Sequence, residues 1–251
     1  MSEPPVTHAT LDVYLLPQLI PPGALRGRRV VVVDVLRATT TIVTALAQGA
    51  LQVFPSDAIE RARMLATERT PTALLGGERQ GMKIAGFDLG NSPREYTAEA
   101  IGGREIVLAT TNGTCAMFSC HEADDVLIGA FVNRQAIVAA LESAPHLAIV
   151  CSGTDRMVTA EDALFAGSLI EPLATNGSPR TLNDQAHMAR ALWESTWQAT
   201  GDPGSLAVAM GRMHGGRNLV RRDMAEDIEF CAQFDRFGNV PRLNTRHWSI
   251  R

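Results

Sequence analysis

Val30-Val31-Val32-Val33 is the feature that most constrains this chain. Four consecutive β-branched residues disfavour a helix and leave no polar face for a strand to turn to water. The run predicts a strand buried on both sides. Such a strand belongs to a parallel-type sheet with helices on each face. It ends at Asp34, which puts a carboxylate at the mouth of a buried strand.

The rest of the sequence extends this pattern. Thr40 to Gln48 reads as a helix stopped by Gly49, Leu51 to Phe54 as a strand, and Ser56 as the cap of a helix running to Ala66. Ala73 to Leu75, Ile106 to Ala109, Val126 to Ile128 and Leu147 to Cys151 read as further strands. Asn133 starts a helix to Leu141, and Thr159 caps a helix carrying Glu161 and Asp162. Thr181 to Thr200 and Leu219 to Phe234 read as helices, Gly201 to Gly204 as a turn, and Val240 to Leu243 as a last strand. Strand–helix alternation of this kind predicts an α/β protein, a three-layer α/β/α fold around a largely parallel or mixed sheet. Leu36 to Thr40 and Leu108 to Thr111 echo each other after apolar strands, which leaves an internal duplication open. A single domain over residues 1–251 is expected, with two subdomains divided near residues 120–145 as the alternative.

A net charge of −4 argues against a nucleic-acid partner. Met1 to Gly23 lacks the basic segment and apolar stretch of a secretory signal, and no run approaches the roughly 20 apolar residues of a membrane span. A cytoplasmic protein with no membrane association is expected. Its cysteines, Cys115, Cys120, Cys151 and Cys231, lack zinc spacing and are expected to be reduced. Met188, Trp193 and Trp197 read as core, and a homo-oligomer is left open.

The stretch from Gly76 to Pro93 carries glycines at 76, 77, 81, 86 and 90, which rules out one continuous helix or paired strand. Among them stand Glu78, Arg79, Lys83, Asp88 and Asn91. Ser92-Pro93-Arg94-Glu95 then has the form of a capping box opening a helix to Gly102. Long polar loops of this kind between a strand and a helix bind anions or metals in α/β proteins.

Polar residues collect at the carboxyl ends of the expected strands: Asp34 to Thr41, Glu78-Arg79, Thr110 to Gly113, and Ser152 to Thr154. Ligands of open α/β sheets bind outside those ends, so parallel strands would bring the four groups together. Asp34 suits a magnesium ligand, a nucleophile or a simple turn cap; Glu78 and Asp162 are the natural additional ligands, with Glu161 the alternative to Asp162. Arg37, Arg79 and Lys83 are candidate anion holders. Thr39, Thr40, Thr41, Thr110, Thr111, Asn112 and Gly113 offer hydroxyl, amide and N–H donors. Other chemistries are missing. No G-x-x-x-x-G-K-[ST] loop or G-x-S-x-G elbow occurs. Cys151 to Arg156 is one residue short of a cysteine-phosphatase loop, and Leu36 stands where a haloacid-dehalogenase-type phosphatase has its second aspartate. His214 reads as structural.

With these residues the chain resembles the 2-phosphosulfolactate phosphatase family, associated with coenzyme M biosynthesis. The resemblance runs from about Val30 to Pro241. It is carried by Val33 to Thr41, Gly76 to Tyr96, Thr110 to Thr114, Gly129 with Asn133, and Cys151 to Gly167. It implies an α/β, magnesium-dependent phosphatase that converts 2-phosphosulfolactate, a small anionic substrate, to sulfolactate and phosphate. Asp34, Arg37, Glu78, Asn91, Asn112 and Asp162 match characteristic positions, whereas Ser152 and Arg156 stand where alanine and glycine are expected. The expected site is therefore Asp34 and Arg37 as catalytic residues, with Asp34, Glu78 and Asp162 on Mg²⁺. Arg79, Lys83, Asn91, Ser92, Thr110, Thr111, Asn112, Gly113, Asn133 and Thr154 are expected on the substrate. A phosphatase for another phosphorylated hydroxy-acid, or a non-catalytic anion-binding protein, are the alternatives.

Overall fold

A computed structural model of the chain describes residues 8–175 and 179–251. The first seven residues of the Met1 to Gly23 stretch lie outside them. Among the described residues no helix is long and apolar enough to cross a membrane.

Among the described residues eleven strands form the sheet. They are β1 (Ala9–Tyr14), β2 (Arg29–Val33), β3 (Gln52–Ser56), β4 (Leu74–Arg79), β5 (Met82–Lys83), β6 (Glu105–Ala109), β7 (Asp125–Gly129), β8 (His146–Cys151), β9 (Arg180–Leu182), β10 (Arg242–Asn244) and β11 (Ser249–Ile250). Their spatial order is β5-β4-β6-β3-β11-β10-β7-β2-β8-β1-β9. Two blocks are internally parallel: β4, β6 and β3, and β7, β2, β8, β1 and β9. The hairpin β10–β11 joins them through antiparallel pairings with β7 and β3. Three successive antiparallel pairings make the blocks run in opposite directions. The sheet is thus mixed, not uniformly parallel.

The valine run lies at the centre of the larger block, and its alternate side chains enter two cores. Val31 and Val33 join Leu127 and Ile149 against Phe165 and Leu169 of helix Ala160–Thr175 and Trp193 of helix Asp184–Thr200. Val30 and Val32 join Ile128 and Val150 against Ile42 and Val43 of helix Ala38–Ala47 and Met117 of helix Gly113–Ser119. A strand with no polar face has packed helices on both sides, which gives the α/β/α layering. A third cluster packs Phe54, Val107 and Ala109 under Ala62 and Ala66 of helix Ile59–Thr67.

Several local expectations are revised. Ser56 ends β3 and its hydroxyl donates to the Ala58 carbonyl, so it caps no helix. Gly76 to Arg79 continue β4 and fold back through Gly81 into β5, which makes half of the expected loop a hairpin. Gly76 and Gly77 are tolerated there because Tyr96 Oη and the Ala109 backbone press on them; a built Cβ would lie 2.2 and 2.0 Å away. Ser92 to Glu95 is a 3₁₀ turn with no side-chain cap. Glu95 accepts from the Gly90 N–H instead, and the helix after it, Ala98–Ile101, is capped by Thr97. Thr181 lies in β9, and the helix after it starts at Asp184. Leu219 to Phe234 contains parts of two short helices, His214–Val220 and Ala225–Cys231.

Asn183 fastens the edge of the sheet to the helix after it. Its side chain accepts from the N–H groups of Val13 and Ala186 and donates to the Val13 carbonyl. Asn183→Ala strands these groups and should cost about 2 kcal/mol. Thermal unfolding should show Tm lowered by roughly 4–8 °C.

Candidate active site

A cavity of about 510 Å³ opens where both strand blocks present their carboxyl ends. Asp34 follows β2 and Thr154 follows β8, in one block. Glu78 and Arg79 end β4 and Thr110, Thr111 and Asn112 follow β6, in the other. The cavity is thus lined from both blocks although they run in opposite directions. Arg37 and Asn91 complete the expected residues that line the cavity.

The geometry at its base is set by buried carboxylates. Asp34 is only 7% exposed, and its Oδ1 accepts from the Ala38 N–H at 3.2 Å. Burial, then the charges of Asp162 and Glu78, push its carboxyl up to about 8, with the Ala38 N–H offsetting part of the rise. Glu78 accepts from Thr111 N and Oγ1, both at 3.0 Å, and from Gly81 N at 2.7 Å. Of its roughly four lone-pair sites one is left. Gly113 lets the helix start approach Asp34. A Cβ there would lie 2.7 Å from Asp34 Oδ2 and 2.6 Å from the Ala38 Cβ.

Asp162 is placed differently. It is buried behind the cavity wall and does not line it. Its Oδ1 accepts from Val35 N at 2.9 Å, and its Oδ2 from Ser152 Oγ, Gly153 N and Thr159 Oγ1 at 3.0, 3.0 and 3.3 Å. Three donors crowd Oδ2, while Oδ1, with one, keeps a lone-pair site. Burial pushes its carboxyl upward, while the same donors favour its ionised form and offset part of the rise. Glu161 packs beneath Gly215, which donates to it. Burial and the Asp162 charge push it up to about 7, and its Oε2 is buried without a partner.

The other expected residues divide. Arg37 donates from Nη1 to Asp227 at 2.6 Å and from Nη2 to the Gly81 carbonyl at 3.0 Å. Ser92 sits behind it, donating to the other Asp227 oxygen at 2.6 Å. Arg79 is tied to the Glu78 and Asp57 carbonyls. Asn112 lines the cavity with its amide unpartnered among the described residues, and Asn91 presents a buried, unpartnered Oδ1. Lys83 is exposed, bonded to the Asp88 carbonyl outside the cavity. Asn133 is wholly buried and staples Ala130, Ile128 and Asn239. Thr39, Thr40 and Thr41 spend their hydroxyls on the carbonyls of Asp34, Val35 and Asn91. His214 does not line the cavity.

Four polar contributors escape sequence reasoning. Asp155, Asn218 and Arg222 also line the cavity, and Asp227 carries the ion pair to Arg37. Asp227 lies 190 residues from Arg37, and no local spacing announces such a pair.

Comparison with known proteins points to one family. A family model described as 2-phosphosulpholactate phosphatase matches residues 14–246. A protein from Symbiobacterium thermophilum is 41% identical over 227 residues, covering 88% of this chain and 94% of its own. One from Thermotoga maritima is 38% identical over 225 residues, covering 90% and 93%. One from Deinococcus radiodurans is 38% identical over 215 residues, covering 84% and 86%. All three are named probable 2-phosphosulfolactate phosphatase.

The two aspartates predict opposite stability effects. A carboxyl whose folded pKa lies above its unfolded value favours folding at low pH, and that advantage is lost as pH rises from about 4 to about 8. In chelator, Asp34→Asn should raise Tm by roughly 5 °C at pH 8 and by progressively less toward pH 4. Asp162→Asn keeps one accepting oxygen for four donors and sets an NH2 against the rest, and should lower stability by about 2–4 kcal/mol at pH 7. Thermal unfolding across pH checks both.

Proposed function

The chain belongs to the 2-phosphosulpholactate phosphatase family, and on that footing we propose that it hydrolyses 2-phosphosulfolactate to sulfolactate and phosphate. The observation that carries this reading is one cavity in which two buried carboxylates, Asp34 and Glu78, face three guanidinium groups, Arg37, Arg79 and Arg222. Carboxylates serve phosphoryl transfer, and guanidinium groups hold small anions.

We propose Mg²⁺ as the cofactor. Among the described residues no three His, Cys, Asp or Glu side chains converge to hold a metal by themselves. Mg²⁺ does not require such a cage, since it keeps several waters and takes one or two carboxylates with substrate phosphate. Asp34, the remaining lone pair of Glu78 and the orphaned Asn91 Oδ1 offer the hard oxygen donors that suit it. When bound, the ion supplies positive charge to the phosphoryl oxygens and offsets repulsion between the carboxylates and an anionic substrate. Asp162 positions Asp34 through the backbone of Val35.

The protein residues divide the remaining work. Asn112 and the start of helix Gly113–Ser119 give donors for phosphate oxygens. Arg37, held by Asp227, the Gly81 carbonyl and the Met224 sulfur, lines the cavity as a guanidinium fixed in place. Asp34 lies at the reacting end, either attacking phosphorus or orienting the attacking water.

Phosphate release from racemic 2-phosphosulfolactate, with Mg²⁺ and with excess EDTA, tests this reading. Metal-dependent release is expected. Asp34→Asn should lower kcat by on the order of 10³-fold or more while the protein stays folded. Absence of release with metal present, or near-normal turnover by the variant, contradicts it.

A further inference from the structure

The three cavity arginines are not equivalent. Arg37 is neutralised within the fold by Asp227, and both residues are almost fully buried. Its Nη1 and Nη2 already donate, to Asp227 and Gly81. Arg79 spends Nη1 and Nη2 on two backbone carbonyls. Arg222 differs from both. Its bond is from Nη1 to the Asn218 carbonyl at 2.8 Å, and no carboxylate pairs with it among the described residues. It therefore keeps Nε and Nη2 free. These two donors form the side-on edge of the guanidinium, the edge that grips a planar or tetrahedral oxyanion with two parallel bonds.

Arg222 is also held in place. Its guanidinium packs on the Gly81 α-carbon; a Cβ on Gly81 would lie 3.2 Å from Nε, 3.4 Å from Cδ and 3.5 Å from Cζ. Gly81 sits at the hairpin tip with φ +78°, a conformation that glycine adopts freely. Its N–H donates to Glu78 Oε2 and its carbonyl accepts from Arg37. One glycine thus spaces a carboxylate, a neutralised arginine and a free arginine around the cavity.

We propose that Arg222 receives the substrate's second acidic group, the one remote from the reacting phosphate, through its Nε/Nη2 edge. This rests on the phosphatase reading above and adds a specificity residue to it. The carboxylate and the sulfonate of 2-phosphosulfolactate share the chemistry that such an edge recognises.

The experiment compares the wild-type enzyme, Arg222→Met and Arg222→Lys on three phosphomonoesters, with Mg²⁺. These are 2-phosphosulfolactate, 2-phospholactate, which lacks the sulfonate, and 2-phosphooxyethanesulfonate, which lacks the carboxylate. Arg222→Met should lower kcat/KM for 2-phosphosulfolactate by roughly 30–100-fold, mainly through KM, because a charge-assisted two-bond contact is lost. For the analogue lacking the recognised group it should change kcat/KM by less than about threefold, and that analogue identifies the group. Arg222→Lys keeps the charge without the fork and should fall between. An equal loss on all three substrates, or no loss on any, overturns the assignment. Sulfolactate binding, measured by calorimetry, separates this from failure of the phosphatase reading. If no substrate releases phosphate, that reading fails, while a Kd for sulfolactate raised tenfold or more by Arg222→Met still supports the subsite. Sulfolactate that binds both proteins equally, or neither, overturns it.

Discussion

The site depends first on a buried carboxylate that does not line the cavity. Asp162 accepts from Val35 N after β2, from Ser152 and Gly153 after β8, and from Thr159 ahead of helix Ala160–Thr175. It locks two strand mouths to one helix start. A fully buried charge is costly unless it is hydrogen-bonded, and four donors serve this one. Asp34 is one residue before the clamped Val35, so the clamp fixes Asp34 at the mouth of β2. The accumulated negative charge follows from the same arrangement, because Asp34 lies within reach of Asp162 on one side and Glu78 on the other.

The second constraint is how the fold distributes positive charge. Asp227 removes the charge of Arg37 but fixes its direction, with Ser92 bracing the carboxylate from behind. The hairpin tip at Gly81 then relates Arg37, Glu78 and Arg222 through a single residue. Anion binding in a cavity floored by carboxylates requires this sorting, since unsorted charges would cancel before a ligand arrived.

Much of this was legible in the sequence, and the failures have physical causes. The valine run announced a doubly buried strand, and Asp34, Glu78, Thr110 and Thr154 announced a cavity, because strand mouths carry polar groups in α/β folds. The opposed direction of the two blocks was hidden. It is decided by the β10–β11 hairpin near the chain terminus, whose strands are too short to show periodicity. Ser92 to Glu95 has the letters of a capping box, yet Asp227 and Gly90 compete for its side chains and win. Asn133 and Lys83 were grouped with the site on local pattern. Tertiary context makes the first a buried staple and the second a surface group. Asp227, Asn218 and Arg222 reach the site from the short helices near the end of the chain, which no motif links to the strand ends.

The central claim is that the buried carboxylates at the strand mouths make a site that requires a cation, with Asp34 as its principal ligand. Calorimetric titration of Mg²⁺ into the wild-type protein and into Asp34→Asn tests it most directly. The account predicts one ion bound per chain in the wild type and an affinity reduced at least tenfold in the variant, on the order expected for losing one of few protein ligands. A wild-type protein that binds no Mg²⁺, or a variant that binds it equally well, would contradict the account.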